Sequence, residues 1–248
     1  MSAFCASGAH VPESTFRSGS RNLPFSARPT LVSTRPRPRS VVCLIGILAA
    51  GLALTGCGEE AGVAKPAPFD FYVLSLSWSP SYCAAEGGDA DPQQCDADRD
   101  LGFVVHGLWP QFEQGWPEFC DDDARNPSRA EIDAISDIIP SDGLIRHQWR
   151  KHGTCTGLSA GGYFDATRAA LDKVTVPQFN QRRVSASDMR QAFLDANDGL
   201  PADGLAVTCN SGLLREVRIC LTTALDFHSC PEVAERSCRQ PDLRLPAP

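Results

Sequence analysis

The chain has 248 residues, 42% of them hydrophobic, which is enough for one sizeable domain with a buried core plus a leader. Its formal net charge of −7 excludes a broadly basic nucleic-acid binder, so any anion site must be a local cluster of positive groups. Its eleven cysteines argue against a reduced cytosolic protein: eight fall between Cys83 and Cys238, an even number that points to four disulfides and an oxidising compartment.

In chain order, the first 34 residues are rich in Ser, Arg and Pro without a hydrophobic period, and read as disordered or as an over-long start. Arg35, Arg37 and Arg39 then flank an apolar run over residues 41–54, the pattern of a secretory signal. Its 14 residues fall short of the ~20 that a membrane-spanning helix needs. The run ends in Leu54-Thr55-Gly56-Cys57, which resembles the lipobox of bacterial lipoproteins. That resemblance implies lipidation of Cys57 as the first mature residue, with residues 58–68 as a short tether and a membrane held through the lipid. Residues 58–248 keep 17 basic and 29 acidic side chains, a net charge of −12.

Residues 69–76 are aromatic and β-branched, and predict a buried strand running into a turn at Trp78-Ser79-Pro80-Ser81-Tyr82-Cys83. Residues 84–100 predict a Gly/Asp-rich loop, and residues 101–105 a short strand that stops at His106-Gly107. Ser128-Arg129-Ala130-Glu131 is a capping box, opening a helix with a stripe of Ile132, Ile135, Ile138 and Ile139 that Pro140 ends. Further helices are predicted over residues 144–152, stopped by Gly153, and over 163–174 and 187–196. Val217, Ile219 and Leu221 alternate with Glu216, Arg218 and Cys220, the period of a half-exposed strand. Strands and helices mix without a βαβ order, so the expected class is α+β, a central antiparallel sheet packed with several helices.

Two segments concentrate the titratable groups. One is residues 103–110, which holds His106 and Trp109, and the other is residues 146–155, which holds His147, Gln148, Lys151 and His152. On a helix, His147, Gln148, Lys151 and His152 share one broad face. Three readings compete for that face. A zinc site is disfavoured by the lysine, by the lack of a carboxylate and by cysteines expected to be oxidised. A pair of satisfied core histidines would suit one histidine better than three beside Lys151. Acid–base chemistry on an RNA phosphodiester fits the set: RNA carries its own 2′-OH nucleophile and needs a base, an acid and cations.

His106-Gly107-Leu108-Trp109-Pro110 and Lys151-His152-Gly153-Thr154-Cys155 resemble the two active-site signatures of the ribonuclease T(2) family, over roughly residues 69–240. The resemblance implies an endoribonuclease that cuts single-stranded RNA to 2′,3′-cyclic phosphates and then 3′-phosphates, without metal or other cofactor. It implies that His106 and His152 are the acid and base, with His152 favoured as base, that His147 binds phosphate, and that Lys151 stabilises the phosphorane. Trp109 would stack on a base with little discrimination, and Gln111 lies where some members contact the base. The implied disulfides are Cys83–Cys95, Cys120–Cys155, Cys209–Cys238 and Cys220–Cys230, and His228 is left as a surface histidine. One position departs from the family: Gln148 stands where it usually has Glu, so activity is expected to be retained but lowered. The expected setting is a monomeric, exported, periplasmic or envelope-anchored lipoprotein. Rival readings are a catalytically weakened RNA- or nucleotide-binding lipoprotein and a structural envelope lipoprotein.

Overall fold

The structure, a computed structural model, describes residues 68–96 and 98–248. The predicted leader, the lipidation site Cys57 and all but the end of the tether lie outside the described residues. The strands are β1 (Phe71–Trp78), β2 (Phe103–Gln111), β3 (Arg183–Val184), β4 (Leu205–Asn210), β5 (Leu213–Thr222) and β6 (Leu243–Arg244). The helices are α1 (Ser79–Glu86), α2 (Pro92–Cys95), α3 (Arg129–Asp133), α4 (Asp142–Lys151), α5 (Ala160–Asp172), α6 (Ala186–Ala196) and α7 (Pro231–Ala234).

The strands form one sheet in the order β2-β1-β5-β6-β3, with β4 also paired to β5. All pairings are antiparallel except the contact of β5 with β6 at Leu213 and Arg244. The α+β class is therefore as expected, and so are the four disulfides, each joining the two cysteines the resemblance paired.

Both faces of the sheet are buried. Leu74, Leu76, Val217, Ile219 and Leu221 meet Ile132, Ile145, Trp149, Tyr163 and Phe193 from the helices in the main core. On the other face, Phe71, Val73, Ala206 and Cys220 form a smaller cluster with Cys230 and Val233 of the α7 segment, and Trp109 packs at its edge. The alternation in β5 therefore does not mark a half-exposed strand, because its second face carries Cys220 and Glu216, both buried. A polar residue on that face is not facing water.

Three local expectations change. The predicted turn after Trp78 is the helix α1, which starts with Pro80 inside its first turn, a position where the missing N–H costs nothing. The loop at 84–100 contains the one-turn helix α2, capped by the Asp91 side chain. The strand expected to stop at His106 instead continues through the whole His-Gly-Leu-Trp-Pro motif to Gln111. Pro110 is tolerated inside the strand because β2 ends the sheet. The Ser128 capping box is present in both directions, although α3 runs only five residues before looser turns carry Ile135 and Ile139 into the core.

Candidate active site

The register of β2 explains how its histidine is aimed. Ser75 pairs with Gly107 and Leu76 with Val105, so His106 is an extra residue with no partner on β1. This β-bulge lets Val105 and Leu108, three positions apart, both face the main core. His106 is thereby turned to the opposite face, where it meets Glu216 of β5. A second bulge occurs in β5: Thr208 pairs with Glu216 and Cys209 with Leu214, which leaves Arg215 unpaired.

Helix α4 supplies the second half of the site through its four-residue spacing. Ile145 and Trp149 enter the core, Gln148 and the C-capping His152 lie beside Trp109, and His147 and Lys151 form the outer row. Two glycines allow this close approach. A methyl group at Gly107 would run into the carboxamide of Gln148, and one at Gly153 into the indole of Trp149.

The structure brings His106, Trp109, Gln111, His147, Gln148, Lys151 and His152 around one open cavity of about 300 Å³. Trp109 is its hinge. Its indole N–H donates to Gln148 Oε1 at 2.8 Å, and its ring lies 5.4 Å from the His152 ring in a stacked arrangement. The His106 ring meets it edge-on at 5.3 Å, and the Arg218 guanidinium lies over it at 5.1 Å. Gln148, only 1% exposed, thus spends its carbonyl on Trp109. Gln111 donates to its neighbour Pro110 and faces the cavity. His228, taken from the sequence as a surface residue, is half-buried against Phe71.

The two central histidines sit in opposite surroundings. His106 Nδ1 is 2.7 Å from Glu216 Oε1. Glu216 is almost wholly buried, and its other oxygen accepts two hydrogen bonds from Arg218, at 2.9 and 2.7 Å. Burial alone would raise the Glu216 carboxyl, but the His106 and Arg218 contacts outweigh it and hold the group at about 2. His152 is buried with no hydrogen-bond partner on Nδ1. Burial, then the positive charges of Lys151, His106 and His147, push it down to about 3, so it is neutral at pH 7. Partial desolvation, followed by Lys151, Arg150 and His106, lowers His147 as well.

Residues 112–120 form the rim. Phe119 N–H donates to the Lys151 carbonyl, and the Cys120–Cys155 bridge ties the segment to the turn after α4. Glu118 lies 3.4 Å from Lys151 Nζ, and Trp116, well exposed, has the Arg236 guanidinium over its ring at 5.5 Å. Beyond His106 lies a second cavity of about 290 Å³ lined by Tyr82, Gln94, Ser141 and Asn210.

Sequence reasoning picked the two motifs but missed Glu216, Arg218 and Arg236. The available signal was Cys220: a disulfide-bonded cysteine on the same strand face as Glu216 and Arg218 argues that this face is covered.

An α+β sheet with paired imidazoles, a lysine and arginines around one cleft presents a site that suits an anion. The sequence profile of the Ribonuclease T2 family matches residues 69–230. A ribonuclease of Aeromonas hydrophila is 36% identical over 230 residues, covering 84% of this chain and 98% of its own. A probable ribonuclease of Haemophilus influenzae is 34% identical over 131 residues, 48% of either chain. Among solved structures, RNase NT in complex with 5′-AMP superposes with a TM-score of 0.53 at 24% identity, over 72% of this chain and 98% of its own. The chain belongs to the Ribonuclease T2 family and is a ribonuclease.

Proposed function

We propose that the protein is an endoribonuclease that cleaves single-stranded RNA by transesterification, without metal. The observation that carries this reading is the placement of His106 and His152 on either side of one cavity, both against Trp109, with Lys151 and His147 beside them. His152, kept neutral by burial and then by its cationic neighbours, takes the proton of the 2′-OH. The 2′-oxygen attacks phosphorus, the bond from phosphorus to the 5′-oxygen breaks, and His106 gives the departing oxygen a proton. A bound phosphate places a negative charge near His152, raises its basicity and makes this transfer easier. His147 holds a non-bridging oxygen, and Lys151, released from Glu118, balances the charge that builds on phosphorus. The products are a 2′,3′-cyclic phosphate and a free 5′-hydroxyl, and water then opens the cycle to a 3′-phosphate.

Base recognition would fall to Trp109 and Gln111, with Trp116 facing the same cavity, and stacking of this kind discriminates little. Arg218 would have to shift for a base to lie on the Trp109 ring. Export and a lipid tether at Cys57 complete the reading, supported by the arginine-flanked apolar run and by eight paired cysteines.

The test incubates the protein with RNA and with DNA in EDTA and analyses the ends. Cyclic phosphates from RNA, with DNA intact, are expected, and His106→Ala and His152→Ala should each lose ~10²–10⁴-fold. Cleavage of DNA, or full activity in either variant, would overturn the mechanism. RNA binding without cleavage would favour the weakened-binder reading, for which Gln148 is the motivating residue.

A further inference from the structure

The mechanism above uses no carboxylate, yet one is present. Among the described residues that line the catalytic cavity, Glu216 is the sole Asp or Glu. It lies behind His106 rather than beside His152, where the family usually places its glutamate and this chain has Gln148.

Glu216 is built into the site from two directions. Its strand position faces Ser77 of β1, and the bulge at Arg215 precedes it. One oxygen meets His106 Nδ1, and the other is held by the Arg218 fork, while Arg215 Nε approaches to 3.7 Å. A buried carboxylate with this many partners is fixed in position and ionised, and it can only accept from His106. We propose that Glu216 is the positioning carboxylate of the reaction: it keeps the His106 proton on Nδ1 in the neutral ring, presents Nε2 to the scissile phosphodiester, and steadies the imidazolium that protonates the leaving 5′-oxygen.

The proposal rests on the acid role given to His106. It also assigns a direction to the site. The histidine backed by a carboxylate donates, and the histidine surrounded by cations accepts, so the proton demand of the two steps is met without a carboxylate at position 148. Arg218 and Arg215 offset part of the Glu216 charge, which makes orientation the larger share of its effect. Without Glu216 those two arginines, together with Lys151 from the α4 side, would oppose a charged His106, which the neutral His152 and the less basic His147 also face from α4. Glu86, Asp91 and Tyr82, which line the cavity beyond it, are the remaining titratable groups on that side among the described residues.

The test compares two substrates in Glu216→Gln, Glu216→Asp and His106→Ala: the dinucleotide UpU, and uridine 3′-(4-nitrophenyl phosphate), whose leaving group departs without a proton. Glu216→Gln should cost ~10²-fold or more in kcat/KM on UpU, within the span of general acid catalysis, and under about tenfold on the nitrophenyl ester. The alkaline limb of the UpU profile, where the acid loses its proton, should move to lower pH, and Glu216→Asp should recover part of the rate. Equal losses on both substrates with an unmoved limb, while His106→Ala still spares the ester, would overturn the role of Glu216 alone. Equal losses in His106→Ala would instead overturn the acid assignment beneath it. Should the variants fail to fold, nitrogen-15 histidine spectra of the wild-type protein decide: a neutral His106 carrying its proton on Nδ1 is expected, and one carrying it on Nε2 would overturn the proposal.

Discussion

His152 carries a cost that can be measured apart from catalysis. Unfolded, a histidine binds its proton near pH 6.5. In the folded chain burial, followed by three positive neighbours, holds it at about 3. Between those values the unfolded state binds more protons, so stability contributed by the neutral ring is complete above about 6.5 and drains away as pH falls towards 3. The slope for one proton is about 1.4 kcal/mol per pH unit. Urea unfolding at pH 7 and pH 5 should therefore show the wild-type protein losing about 2 kcal/mol more than His152→Gln over that interval. Equal losses would mean that His152 titrates normally. At this scale the sequence was readable where the lining of the cavity is contiguous. His106 with Trp109, and His147 with Lys151 and His152, each lie within one short segment. Glu216 is 110 positions from the histidine it holds, and only strand register unites them. Its alternation, with Arg218, against Val217 and Ile219 made it look like part of the exposed side of a half-exposed strand.

At the scale of elements, the rim segment depends on a covalent tie. Residues 112–120 expose Phe112, Trp116 and Phe119, and Phe119 adopts a left-handed backbone with φ of 51°, a conformation that a bulky residue avoids. What holds it is the Phe119 N–H bond to the Lys151 carbonyl and the Cys120–Cys155 disulfide next to it. Cys120→Ala with Cys155→Ala should lower stability by ~2–4 kcal/mol. It should also raise KM several-fold with a smaller change in kcat, because Trp116 and Glu118 lose their placement while His106 and His152 remain on β2 and α4. A thermal melt and steady-state kinetics check both, and an unchanged KM would remove the rim from substrate binding. The helices were legible through caps and apolar stripes, as Ser128 and the isoleucines show. The β2 boundary was not, because a proline inside a strand is allowed only at a sheet edge, which is a property of the assembled sheet.

Across the whole molecule, charge works against the substrate. The chain is net negative, and the cations that matter are a local group of Lys151, Arg215, Arg218 and Arg236 around the cavity. Few phosphates can be held at once. If these groups neutralise two to four of them, the logarithm of affinity for single-stranded RNA should fall with the logarithm of salt at a slope of about −1.4 to −2.8. A filter-binding series with His106→Ala, which retains the cations, measures it. A much steeper slope would require a larger basic surface than the described residues provide.

The strand that carries His106 is also the last strand of its sheet, and an end strand is where one folded molecule can recruit another. Here the exposed edge is broken up. Pro110 offers no N–H, the bulge at His106 interrupts the pleat, and the N–H of Val105 is already given to the carbonyl of Ile138. The irregularities that turn His106 towards Glu216 therefore also leave little regular backbone on that edge for another strand to pair with. A change that straightened β2 would both turn His106 away from Glu216 and give the sheet a regular end strand.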